Sequence, residues 1–116
     1  MDSDDIAVLD RFEQQLNVFL VQQEVDIVGG DIQEFINTLE YKTGKRKVPI
    51  SDSAIKHYMK KRCPFNHMTV MYKKEAVTRA GGYQDLFWNE DYYLWIRMAV
   101  KNCVMANTGT VLVNVR

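Results

Sequence analysis

The chain has 116 residues, 47% apolar and 26% charged, and its 15 Lys plus Arg balance its 15 Asp plus Glu. That length suits one domain, residues 1–116, and is too short for two. The composition excludes intrinsic disorder, and a net charge near zero gives no support to a nucleic-acid-binding role.

Cys63 and Cys103 lie far apart without metal-ligand spacing, so reduced thiols in a cytosolic protein are expected. No apolar run approaches the about 20 residues of a membrane span. The acidic opening, Met1 followed by Asp2, Asp4 and Asp5, does not read as a signal peptide. Two basic runs, 42–47 and 56–62, read as solvated faces, with phosphate or an anionic membrane surface as the alternative.

In chain order, Asp10 and Glu13 fit a capping box, and Phe12, Leu16, Phe19 and Leu20 follow at helical spacing. A helix is predicted over 10–23. Residues 25–28 read as a strand with Val25 and Ile27 on one face. Gly29 and Gly30 allow a bulge before a second strand over 31–39. The basic stretch 41–49 reads as a loop. Ser51, Asp52 and Ser53 offer caps for a short helix to about 61, and Pro64 forbids its continuation. Residues 67–72 alternate as a strand, and 74–80 form a short helix closed by Gly81. Asn89 caps a helix over 90–101 whose apolar residues cover more than one stripe, so it is expected to be well buried. One or two strands around 108–110 end the chain. The alternation of helix and strand predicts α/β packing.

Two acidic clusters carry candidate chemistry. Asp2, Asp4 and Asp5 have oxygen ligands that can converge on Mg²⁺ or Mn²⁺, or they belong to a frayed acidic terminus. Glu90 and Asp91 open a predicted helix, where acids complement the macrodipole. The same dipole keeps a carboxylate ionised and able to accept a proton, and Trp88 beside it offers a stacking surface for a sugar ring. Position alone leaves the capping and catalytic roles both open. His57 reads as a surface residue. His67 either faces a substrate or is a satisfied structural histidine.

Several segments, in order, resemble the family 2 glycosyltransferases, inverting enzymes of the GT-A fold. They are residues 2–5, 25–30 and 62–71, Gly81-Gly82-Tyr83, and residues 88–95. Nearly the whole chain takes part. The resemblance implies a partial GT-A fold, a mixed sheet flanked by helices. Roughly the first half of the family's domain, which holds the nucleotide, is expected to be missing before Met1.

It further implies that Asp2 and Asp4, with Asp5 adjacent, bind a divalent cation in the full-length enzyme, Asp2 also contacting the donor. Asp91 is implied as general base with Glu90 beside it. Asn66 and His67 are implied on the acceptor side, and Trp88 against a sugar. The implied reaction transfers a sugar from a nucleotide-sugar to a saccharide or lipid-linked acceptor with inversion, in bacterial surface-polysaccharide synthesis. The implied location is cytoplasmic, with peripheral association at the inner face of the plasma membrane. The isolated fragment is expected to be inactive and to self-associate through Val25, Ile27 and the strand around Met68. The alternative is a non-catalytic carbohydrate- or protein-binding module. A hydrolase using two carboxylates is a third reading, and nothing in the sequence supplies its activated water.

Overall fold

The computed structural model describes residues 5–83 and 90–116. A two-residue strand, β1 (Ile6–Ala7), precedes a helix, α1 (Arg11–Val21), close to the span read from apolar spacing. The capping box does not form. Asp10 makes no cap hydrogen bond, and its Oδ1 accepts from Gln14 Nε2 at 3.0 Å instead. The apolar stripe also faces outward. Phe12, Leu16 and Leu20 are 62%, 51% and 70% exposed, whereas Arg11 and Gln15 are buried.

The reason lies in the sheet beneath. Gln15 Nε2 donates to the carbonyls of Val28 (2.8 Å) and Thr69 (2.6 Å), and its Oε1 accepts from Arg11 Nε at 3.0 Å. Buried carbonyls need donors, and that demand selects the polar face of α1 for the interface. Val18 and Phe19 complete the contact against Val25, Val28 and Ala106.

Four further strands, β2 (Val25–Ile36), β3 (Thr38–Arg46), β4 (Met71–Tyr72) and β5 (Val104–Val115), join β1 in a mixed sheet of order β1-β5-β2-β3. β2 and β5 run parallel, the other pairs antiparallel, and β4 pairs with β2 at Ile27 and Val28. The two strands expected around Gly29 and Gly30 are one, with the bulge present as a register shift between Gly29 and Asp31. A Cβ at Gly29 would lie 2.6 Å from Asn107 Oδ1, and one at Gly30 would lie 2.5 Å from Leu112 Cδ1. Close packing, not backbone angle, requires glycine there.

A second shift, between Val25 and Ile27, sends those two side chains to opposite faces. The expectation that they share a face left uncovered is therefore corrected, since both are fully buried and Met68 packs half-buried against Ile32 and Leu112. Stretch 41–49 is likewise not a loop in its first half. The Ile32–Ile36 edge of β2 offers unpaired backbone, and an edge strand tolerates Lys42 and Lys45.

The opposite face of the sheet carries α2 (Asp52–Tyr58), α3 (Lys74–Arg79) and α4 (Glu90–Val100), and a 3-10 turn (His67–Thr69) leads into β4. Ser51 caps α2 as predicted, its Oγ accepting from the Ala54 amide at 3.3 Å. The strand expected over 67–72 is reduced to β4. Its first residues coil because the Thr69 amide and Oγ1 both donate to the Asn66 carbonyl, at 2.8 and 2.7 Å. Leu94, Trp95 and Met98 of α4 join Ile27, Ile55, Phe65 and Met105 in the main core, with Phe65 edge-on to Trp95 at 5.5 Å. Ile96 and Val100 are exposed, so α4 is buried on one side and not all round. The α/β architecture with a mixed sheet flanked by helices is as the sequence predicts. Among the described residues no helix is long and apolar enough to cross a membrane.

Candidate functional site

The start of α4 is positioned by the turn that precedes the 84–89 segment. Gly81 (φ 93°) and Gly82 (φ 68°) close α3, their amides donating to the Thr78 and Val77 carbonyls at 3.0 and 2.9 Å. Arg97 of α4 fastens this turn, donating through Nη2 to the Gly82 carbonyl at 2.7 Å and through Nη1 to that of Ala80. Its guanidinium also lies 4.7 Å from the centre of the Tyr93 ring. Tyr83 is thereby held edge-on to Trp95 at 6.4 Å and beside Asp91. Burial pushes the Tyr83 phenol well above its ordinary range, and Asp91 adds to the shift by charge and by accepting its hydrogen bond.

Glu90 and Asp91 open onto a cavity of about 270 Å³ that is also lined by Arg46, Cys63, Phe65, His67 and Tyr92. Asp91 is half-buried and Glu90 exposed. Tyr92 anchors this end of α4 by donating its hydroxyl to the Met59 carbonyl. Arg46, which also lines the cavity, ends β3. Its Nη1 donates to Asn66 Oδ1 at 2.8 Å and its Nη2 to the Cys63 carbonyl at 2.7 Å. Asn66 in turn donates to the Gly30 carbonyl at 2.8 Å. Burial raises the Cys63 thiol above its usual range, its contact with the Phe65 carbonyl and the Arg46 charge oppose this, and the Asp91 charge reinforces it. Burial thus favours the protonated thiol.

Of the residues singled out in the sequence, the fold brings Glu90, Asp91 and His67 to this one cavity. Asn66 stands directly behind it. Asn66 is 2% exposed, and its side-chain amide accepts from Arg46 and donates to the Gly30 carbonyl, so it holds Arg46 in place. Asp2, Asp4 and Trp88, and the cap residue Asn89, lie outside the described residues. Asp5 is half-buried just before β1. Among the described residues no three His, Cys, Asp or Glu side chains gather to hold a metal ion.

Arg46 and Tyr83 are the site residues that sequence reasoning missed. Arg46 was hidden in a run of basic residues read as a loop. Its only sequence signal is the Lys-Arg-Lys run directly before Val48 and Pro49.

No family model matches the chain. It is 47% identical over 116 residues to an uncharacterized glycosyltransferase of Haemophilus influenzae, covering 100% of this chain and 43% of that protein. It is 36% identical to the amylovoran biosynthesis glycosyltransferase AmsE of Erwinia amylovora, again over 100% of this chain and 43% of the relative. It is 38% identical over 119 aligned residues to the UDP-Gal:alpha-D-GlcNAc-diphosphoundecaprenol beta-1,3-galactosyltransferase of Escherichia coli, over 99% of this chain and 42% of the relative. The chain is thus related from end to end to one part, somewhat under half, of bacterial proteins named as glycosyltransferases.

Proposed function

We propose that the chain forms the acceptor side of an inverting glycosyltransferase, with Asp91 as the general base. The observation that carries this reading is the cavity that the half-buried Asp91 and its neighbour Glu90 line together with His67 and a fixed Arg46. A volume of about 270 Å³ lies just below the range of about 300–1,000 Å³ for drug-sized ligands, so it suits a single sugar ring.

In this reading an acceptor hydroxyl enters beside Asp91, which takes its proton as the oxygen attacks the anomeric carbon of the donor. Attack from the face opposite the departing diphosphate gives inversion. Tyr83 lies beside the Asp91 carboxylate. His67 contacts the acceptor, and Trp88 stacks on a sugar face. Asp2 and Asp4, with Asp5, are the proposed ligands of a Mg²⁺ or Mn²⁺ ion, which when bound would neutralise charge on the leaving diphosphate. The donor is a nucleotide-sugar and the acceptor a saccharide or lipid-linked sugar, as the name of the Escherichia coli relative states for that protein. A lipid-linked acceptor would hold the whole protein at the inner membrane face.

The test is a chimera in which this chain replaces the matching segment of the Escherichia coli galactosyltransferase. Transfer from UDP-galactose is measured with and without Asp91→Asn. The substitution should lower kcat about 10² to 10⁴-fold, equivalent to about 3 to 5 kcal/mol of barrier, with KM little changed. Equal rates would favour the binding-module reading, in which Glu90 and Asp91 serve only the helix dipole.

A further inference from the structure

We propose that in a protein of the relatives' length the sheet continues past β4. The part of that protein outside this chain adds a strand to the β4 edge and packs an apolar surface on the stripe of α1. Two features on one side of the molecule point to this. β2 lies between β5 and β4, and among the described residues β4 pairs with β2 alone. The Lys73 amide donates to the Asp26 carbonyl at 2.9 Å. Alternation along a strand then turns the amide and carbonyl of Tyr72 away from β2, as an open edge.

The stripe of α1 leans over the same edge. Successive residues turn by about 100° round a helix, so Gln14 and Leu16 flank the sheet-facing Gln15 on opposite sides. Gln14 accepts from the Thr110 hydroxyl of β5. Leu16, with Phe12 and Leu20, therefore lies on the β4 side, and each of the three is more than half exposed. An added strand at Tyr72 would bring its own apolar face or covering helix under this stripe.

The chemistry of the stretch selects the occupant. Residues 14–23 carry no charge, although 26% of the chain is charged. Depletion of charge marks the core of a contact between protein surfaces. A lipid surface would call for Lys or Arg beside the apolar residues, and the stretch has none. The chain spans 42–43% of the relatives that it matches from end to end, so more than half of such a protein has to be placed against it. The proposal rests on that kinship and not on the role of Asp91.

The experiment compares the dilute 116-residue chain with the chimera in which it replaces the matching segment of the Escherichia coli galactosyltransferase. Maleimide labelling of Leu16→Cys, read by mass spectrometry, should be about tenfold or more slower in the chimera, and hydrogen exchange around Tyr72 should slow as well. Exposed Ser53→Cys at the start of α2 should label alike in both, and fully buried Cys103 should stay unlabelled. Both effects are required, and either one alone overturns the proposal. Equal protection of Ser53→Cys also overturns it, because the cover would not be specific to this side. A chimera whose Cys103 labels freely has not seated the chain and counts against it. Protection of Leu16→Cys that appears only on concentrating the isolated chain would make a second copy the occupant, and protection only on phosphatidylglycerol vesicles would make it a lipid surface. None of these readouts is sugar transfer, so the role of Asp91 stands or falls separately.

Discussion

Helices α1 and α4 are each 11 residues long and amphipathic, yet they use their faces in opposite ways. α4 buries Leu94, Trp95 and Met98 against the sheet. α1 buries Arg11 and Gln15 and turns Phe12, Leu16 and Leu20 to solvent. The difference teaches that periodicity marks two faces on a helix without saying which one the sheet requires. Beneath α4 the sheet offers apolar side chains. Beneath α1 lie the carbonyl of Val28 in β2 and that of Thr69 in the 3-10 turn, and a glutamine answers both.

The comparison breaks most forcefully at Trp95. Trp95→Ala should destabilise the fold by about 3–5 kcal/mol, read from denaturant unfolding, because the indole is fully buried and braced by Phe65. The corresponding cut on α1 is Gln15→Ala. It orphans two buried carbonyls and should cost about 1–3 kcal/mol, although it removes no apolar core. A larger loss at Gln15 than at Trp95 would reverse the assignment of the two faces.

Leu16→Glu with Leu20→Glu should change stability by less than about 0.5 kcal/mol, since both side chains are exposed. The effect should appear in association instead. In a solution of this chain alone, the apolar stripe of α1 has a second copy's stripe as its available cover. Light scattering should then show a concentration-dependent oligomer for wild type and a monomer for the double variant. A wild-type monomer at high concentration would sink this part of the comparison.

The smallest effect concerns pH. Tyr83 has its phenol raised in the folded state, so the neutral form is favoured there. Its contribution to stability is complete below the unfolded phenol value of about 10 and declines as pH rises above it. Ultraviolet titration should find one tyrosine that ionises late, and Tyr83→Phe should remove it. A late tyrosine that persists in Tyr83→Phe would mean the phenol is not held beside Asp91.

Much of this architecture was legible because its signals are local. Ser51 caps α2 through a bond three residues away, and Gly81 closes α3 within its own turn. The acids at 90 and 91 open α4 where expected. What escaped depends on residues distant in sequence. β3 reads as a basic loop until β2 supplies its partner edge. The inversion of α1 follows from a carbonyl 54 positions along the chain. Arg46 becomes a site residue only because Asn66, 20 positions later, fixes its guanidinium. The separation of Val25 from Ile27 follows from a register shift against β5, which alternation in β2 alone does not reveal.

Gly29 and Gly30 have a practical consequence for mutational scanning. Even a methyl group at either would collide with Asn107, Phe65 or Leu112. In a saturation library both positions should therefore tolerate almost no replacement, scoring as severely as the proposed base Asp91 but through packing. Only parallel measurement of cellular abundance would tell the two kinds of intolerance apart, since variants at the glycines should vanish from the soluble pool and variants at Asp91 should accumulate normally.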